Sequence, residues 1–183
     1  MKTTIVVIIL IALIISIIVI SNSKTNTNLD RNWVIEIAIY SRGMIQDSYV
    51  IQIDENNTIR IRSGSGRNFT AIPFHEKFLS EIYLEEESIL SDDELQTLLS
   101  LAQELEGAGV MNEPVFGSGT RLWEVVLLYN SVQYVMDYSL ASLIVNHLGE
   151  TFHDGAYSID HYEIFIRLVD EITQLSPIEI ALR

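Results

Sequence analysis

Tyr49-Val50-Ile51-Gln52-Ile53-Asp54-Glu55-Asn56-Asn57-Thr58-Ile59-Arg60-Ile61-Arg62 is two alternating runs hinged on a polar tetrad. Tyr49, Ile51 and Ile53 share one face of the first run, and Ile59 and Ile61 share one face of the second. That two-residue period is the mark of a half-buried strand. Asp and Asn tolerate the left-handed backbone of a tight hairpin, so Asp54–Asn57 reverses the chain. The hairpin predicts an antiparallel sheet with one apolar face.

Just upstream, Trp33 to Tyr40 alternates in the same way, with Trp33, Ile35, Ile37 and Ile39 on one face. Ser41-Arg42-Gly43 breaks this strand, and Ser63-Gly64-Ser65-Gly66 is expected to end the third. The stretch from Phe69 to Leu84 is ambiguous. It holds Ile72, Phe74, Phe78, Ile82 and Tyr83, but Pro73 stops any helix begun earlier, so one short helix after the proline is the element it allows.

Ser91-Asp92-Asp93-Glu94 is a capping box: Ser91 caps the first turn and Glu94 reaches back to the capping residue. Leu95, Leu98, Leu99, Ala102 and Leu105 follow at helical spacing, and Gly107 is the expected stop. Beyond Pro114 and Gly117-Ser118-Gly119, Leu122–Tyr129 and Val132–Tyr138 flank Asn130-Ser131 as a second hairpin. Leu140 to Leu148 reads as a short helix. A last helix begins near Asp160, with Glu163 completing a second capping box and Ile164, Phe165, Leu168, Val169, Ile172 and Leu175 as its buried stripe. The order βββ-α-ββ-αα predicts an α+β domain, an antiparallel sheet of about five strands with helices packed on one face.

Ahead of this domain, Ile5 to Ile20 is apolar throughout and uncharged. As a helix it would reach ~24 Å, against a hydrocarbon core of about 30 Å, and Thr3, Thr4 and Ser21 can lengthen it. It has no polar stripe to leave in water, so an N-terminal transmembrane helix is expected. The alternative is a signal segment cut after Ser23, which would release the rest as a secreted protein. On this reading residues 1–24 are anchor or signal, 25–32 a polar tether and 33–183 a single acidic domain. Lys2 precedes the run while Lys24 and Arg31 follow it, so charge barely orients it. A short tail ahead of an apolar run usually stays in the cytoplasm, so a single-pass cell-membrane protein with its C-terminal domain outside is the expectation.

The chain has 183 residues and a formal charge of −14. Lys2 and Lys24 contribute two positive charges, leaving −16 on the remainder. So acidic a domain repels phosphate backbones, which argues against nucleic-acid binding. With no cysteine there are no disulfides, thiolate metal sites or cysteine nucleophiles.

No motif names a reaction. His147, His153 and His161 fall within 15 residues among Glu150, Asp154 and Asp160, a set of zinc-type ligands, yet their spacing matches no helical or hairpin pair. His75-Glu76 lacks the second histidine of a zinc helix, since Leu79 stands at that position. Gly64-Ser65-Gly66 and Gly117-Ser118-Gly119 lack the helix and lysine of a phosphate loop. Glu85-Glu86-Glu87 with Asp92, Asp93 and Glu94 fits no calcium loop and reads as a solvated, helix-capping face.

Four of the eleven basic residues, Arg42, Arg60, Arg62 and Arg67, lie between positions 42 and 67. With Ile59 and Ile61 inward, Arg60 and Arg62 are expected on an open face, either pairing with Glu36 or Gln52 across strands or binding a protein or small anion. The expectation for function is therefore a membrane-anchored, extracytoplasmic, non-catalytic binding or accessory module without a cofactor. The alternative is an exported hydrolase that uses a metal or carboxylates.

Overall fold

A computed structural model describes residues 32–41, 48–67, 78–109, 123–143, 145–146, 159–180 and 182. The apolar run Ile5–Ile20, residues 25–31 of its tether, Arg42, His147 and His153 lie outside the described residues. The last helix begins at Ile159, so Asp160 lies in its first turn rather than at the cap of the expected second capping box. Among the described residues no helix is long and apolar enough to cross a membrane.

The unit from Trp33 onward is α+β: among the described residues it has six antiparallel strands and two long helices. In chain order they are β1 (Trp33–Ser41), β2 (Ser48–Asp54), β3 (Thr58–Arg67), β4 (Leu79–Ile89), α1 (Asp92–Ala108), β5 (Trp123–Tyr129), β6 (Val132–Asp137), the short α2 (Tyr138–Leu143) and α3 (Ile159–Leu175). The sheet order is β4-β3-β2-β1-β5-β6. Both hairpins form as their turn residues require. Asp54 Oδ1 accepts from the amides of Asn56 (2.9 Å) and Thr58 (2.8 Å), and Asn57 takes φ 64°. Asn130 and Ser131 take φ 48° and 64°, the left-handed pair of a two-residue hairpin turn.

One face of the sheet carries the main core. Ile35, Ile37, Ile39, Ile51, Ile53, Ile59 and Ile61 pack there with Val125, Leu127, Tyr134 and Met136. Leu98, Leu101, Ala102 and Leu105 of α1 close over it beside Tyr162, Phe165, Leu168 and Ile172 of α3. The strands therefore alternate as expected, and the helices cover one face.

Several details differ from the sequence reading, among them the short helix expected from Leu140 to Leu148, which begins at Tyr138 and takes that residue from the preceding strand. The fourth strand, β4, falls where the sequence predicts none, since three consecutive glutamates have low strand propensity. Strand β3 does not end at Ser63 but runs on to Arg67, because β4 extends the ladder opposite Gly64 and Ser65. Helix α1 passes Gly107 and stops at Gly109, whose φ of 104° suits a residue without a Cβ, and Leu101 rather than Leu99 joins its buried stripe. Its capping box forms as read: Glu94 N–H donates to Ser91 Oγ (3.3 Å) and Ser91 N–H to Glu94 Oε2 (2.6 Å).

Candidate functional site

Strand β4 lies at the edge of the sheet and, among the described residues, pairs only with β3. It is eleven residues long, twice a typical strand, and exposed from Ser80 through Glu87 on both its faces. Ile82 is 44%, Tyr83 55%, Leu84 41% and Ile89 73% exposed, standing beside Glu81, Glu85, Glu86 and Glu87. A long edge with apolar side chains is a template for another strand, and natural proteins usually blunt such edges. Here the blunting device is charge.

What makes a glutamate run a strand lies on β3. The register sets Arg60 opposite Glu87 and Arg62 opposite Glu85. Arg60 leans to the diagonal partner: its Nε lies 2.9 Å from Glu85 Oε1 and 3.8 Å from Glu87 Oε1. Arg62 Nη2 donates to Gln52 Oε1 (3.3 Å), and Gln52 Nε2 donates to Glu36 Oε2 (2.6 Å). A polar row thus crosses β1, β2, β3 and β4 on the face away from the helices. Burial raises the Glu36 carboxyl above its ordinary range; Gln52 and the Arg62 charge partly counter this.

The arginines are placed differently from the expectation. Arg60 and Arg62 do lie on the second face, but they are 7% and 5% exposed, so that face is not open at these positions. Strand β4 also makes β3 an interior strand, so Glu85 and Glu87 stand opposite Arg62 and Arg60. The anticipated cross-strand partner is present for Arg62 in Gln52 and, through it, Glu36, whereas Arg60 pairs with Glu85 and Glu87. The backbone of Arg67 sits opposite Leu79 at the far end of the ladder.

The close contact of β3 with β4 depends on one glycine. The register slips between Ser63 and Gly64, so Tyr83 is the extra residue of a bulge. A Cβ on Gly64 would stand 1.9 Å from the carbonyl oxygen of Glu81. The glycine pair expected to end β3 instead marks a site of close backbone approach at Gly64.

A second polar group occupies the same face farther along. Glu124 on β5 lies opposite both Asp137 on β6 and Tyr40 on β1, with Glu124 and Asp137 only 5% and 4% exposed. The Tyr40 hydroxyl donates to Glu124 Oε1. Burial first, and the Asp137 carboxylate second, push Glu124 up to about 7. Between this cluster and the arginine row sits a small apolar patch of Ala38, Tyr40, Val50, Phe78, Leu79 and Val126, with Phe78 edge-on to Tyr40 at 5.7 Å. The sequence held no spacing signal for Glu124 and Asp137, because they meet only through hairpin register.

His161 contacts the carbonyl oxygen of Ala108, tying α3 to the end of α1. Among the described residues no three His, Asp or Glu side chains converge as metal ligands. One cleft is bordered by Asp93, Thr97, Glu104 and Arg167, another by Tyr138, Asp170 and Glu179; neither includes Glu124 or Asp137. No protein-family model, curated protein or solved structure matches the chain, so the site rests on geometry alone.

Proposed function

We propose that the chain is a membrane-anchored, extracytoplasmic binding module without catalysis, which takes up an extended protein segment along the edge of β4. The observation that carries the reading is this edge: eleven residues of strand whose exposed stretch mixes apolar and acidic side chains. Main-chain hydrogen bonds supply affinity in strand addition, and alternate side chains supply specificity. Ile5–Ile20 is the proposed membrane tether.

The test is amide hydrogen exchange on the full chain extracted gently from its own membranes, before and after a wash that strips bound proteins. Slower exchange in residues 79–89 before the wash is expected. Identical exchange in both states overturns the reading.

The Glu124–Asp137 pair favours a second reading, an exported hydrolase that uses carboxylates, because a carboxyl near 7 suits proton transfer at neutral pH. Burial argues against it: side chains at 5% and 4% exposure offer a substrate almost no surface. Hydrolysis abolished by Glu124→Gln, with folding intact, would establish the second reading over the first.

A further inference from the structure

We infer that the segment docking on β4 is basic: an extended strand in which Lys or Arg alternates with apolar residues, added as a seventh strand of the sheet. The inference rests on β4 being the docking edge and specifies the chemistry of its partner. Glu81, Glu85, Glu86 and Glu87 place four carboxylates within seven residues of the strand. Arg60 engages Glu85 and Glu87 from inside the sheet, while Glu81 and Glu86 stand exposed beside Ile82 and Leu84. Opposite charges directly across neighbouring strands stabilise pairing, and like charges there destabilise it.

A second copy of this chain is the wrong occupant for the same reason. Pairing β4 with itself, parallel or antiparallel, would lay one acidic run against another, in a chain that already carries a formal charge of −14. The glutamates therefore do two things: they keep an otherwise adhesive edge from self-association, and they select a cationic strand. The exposed apolar residues would go unused by a purely charged partner, since Tyr83 and Ile89 are 55% and 73% exposed. A partner alternating basic and apolar residues satisfies both.

The experiment titrates the full-length chain in detergent micelles with three short peptides of one length: alternating Lys-Val, Ser-Val and Glu-Val. Fluorescence anisotropy reads affinity, and amide exchange reads whether residues 79–89 become protected. The Lys-Val peptide is expected to bind at least about tenfold tighter than Ser-Val, to protect β4 and to weaken with salt. In the double variant Glu81→Lys, Glu86→Lys, whose exposed sites leave the core untouched, the preference should invert toward Glu-Val. Equal affinity of Lys-Val and Ser-Val with β4 protected overturns the basic partner but leaves the docking edge standing. Binding of Lys-Val without protection of β4, or no binding by any peptide, overturns both. Concentration-dependent dimers with β4 protected make a second copy the occupant and overturn the inference.

Discussion

Gly64 is where a single missing Cβ has the largest consequence. An added methyl would stand 1.9 Å from the Glu81 carbonyl, a backbone atom that cannot swing aside. Gly64→Ala should therefore push β4 away from β3 at the bulge, with accelerated amide exchange around residues 79–84 and a loss of about 1–3 kcal/mol on chemical denaturation. Unchanged exchange there would show that the close approach is not needed. Glu124 gives the opposite kind of test, one of protonation. Its carboxyl rises from an ordinary 4.5 to about 7 in the fold, so the folded state holds the proton more tightly than the unfolded chain. That stabilisation is complete below the unfolded value and is lost as pH rises through about 7. Unfolding free energy should thus fall between pH 5 and pH 8, by up to roughly 3 kcal/mol from this group. Glu36, also raised by burial, adds the same sign. Glu94, lowered by its bonds to Ser91, has the opposite sign: its contribution is present above the ordinary value and lost on acidification. Glu124→Gln keeps an acceptor for the Tyr40 hydroxyl and should flatten the profile between pH 5 and pH 8; a profile as steep as before would refute the assignment.

Helix α1 and strand β4 are built from the same acidic stretch yet are held by different forces. The helix starts where Ser91 and Glu94 satisfy each other's backbone donors, with Asp92 and Asp93 in the favourable field of its N-terminus. Ser91→Ala should cost about 1 kcal/mol and fray the first turn, visible as faster exchange of the amides near Glu94. Strand β4 has no such local support, because Glu85-Glu86-Glu87 gains its extended shape from β3. Arg60→Met keeps the aliphatic stem but removes the charge beside Glu85 and Glu87. The expected result is faster amide exchange across residues 79–89 with the core of α1 unaffected. Equal exchange in both proteins would mean that the backbone ladder alone holds the edge. The turn at Asn57 couples the two elements: its carbonyl accepts from Leu90 N–H at 2.8 Å, and its side-chain amide donates to Asp92 Oδ1 at 2.6 Å.

For the whole chain, the proposed tether and the docking edge make separate claims. Protease treatment of intact cells expressing a C-terminally tagged protein should remove the tag while an N-terminal remnant stays with the membrane fraction. A protected tag in the same fraction places the domain in the cytoplasm and redirects the search for its partner.

Much of the architecture is written in local pattern. Two-residue alternation in β1, β2, β3, β5 and β6, the Asn-bearing turns and the capping box at Ser91 are short-range features, so neighbouring residues suffice to specify them. The helical stripe ending at Leu105 likewise needs no distant partner to be recognised. Strand β4 cannot be read this way, since its low-propensity glutamates pair in register with Arg60 and Arg62, more than twenty residues earlier. A signal did exist, in Arg-Ile-Arg complementing Glu-Glu-Glu, but it has meaning only once the register is known. The burial of those arginines, the close approach at Gly64 and the meeting of Glu124 with Asp137 and Tyr40 are likewise products of strand order. Composition and period establish the strands and helices that carry an apolar stripe; long-range pairing establishes β4, which polar groups leave water and which apolar edge stays in it.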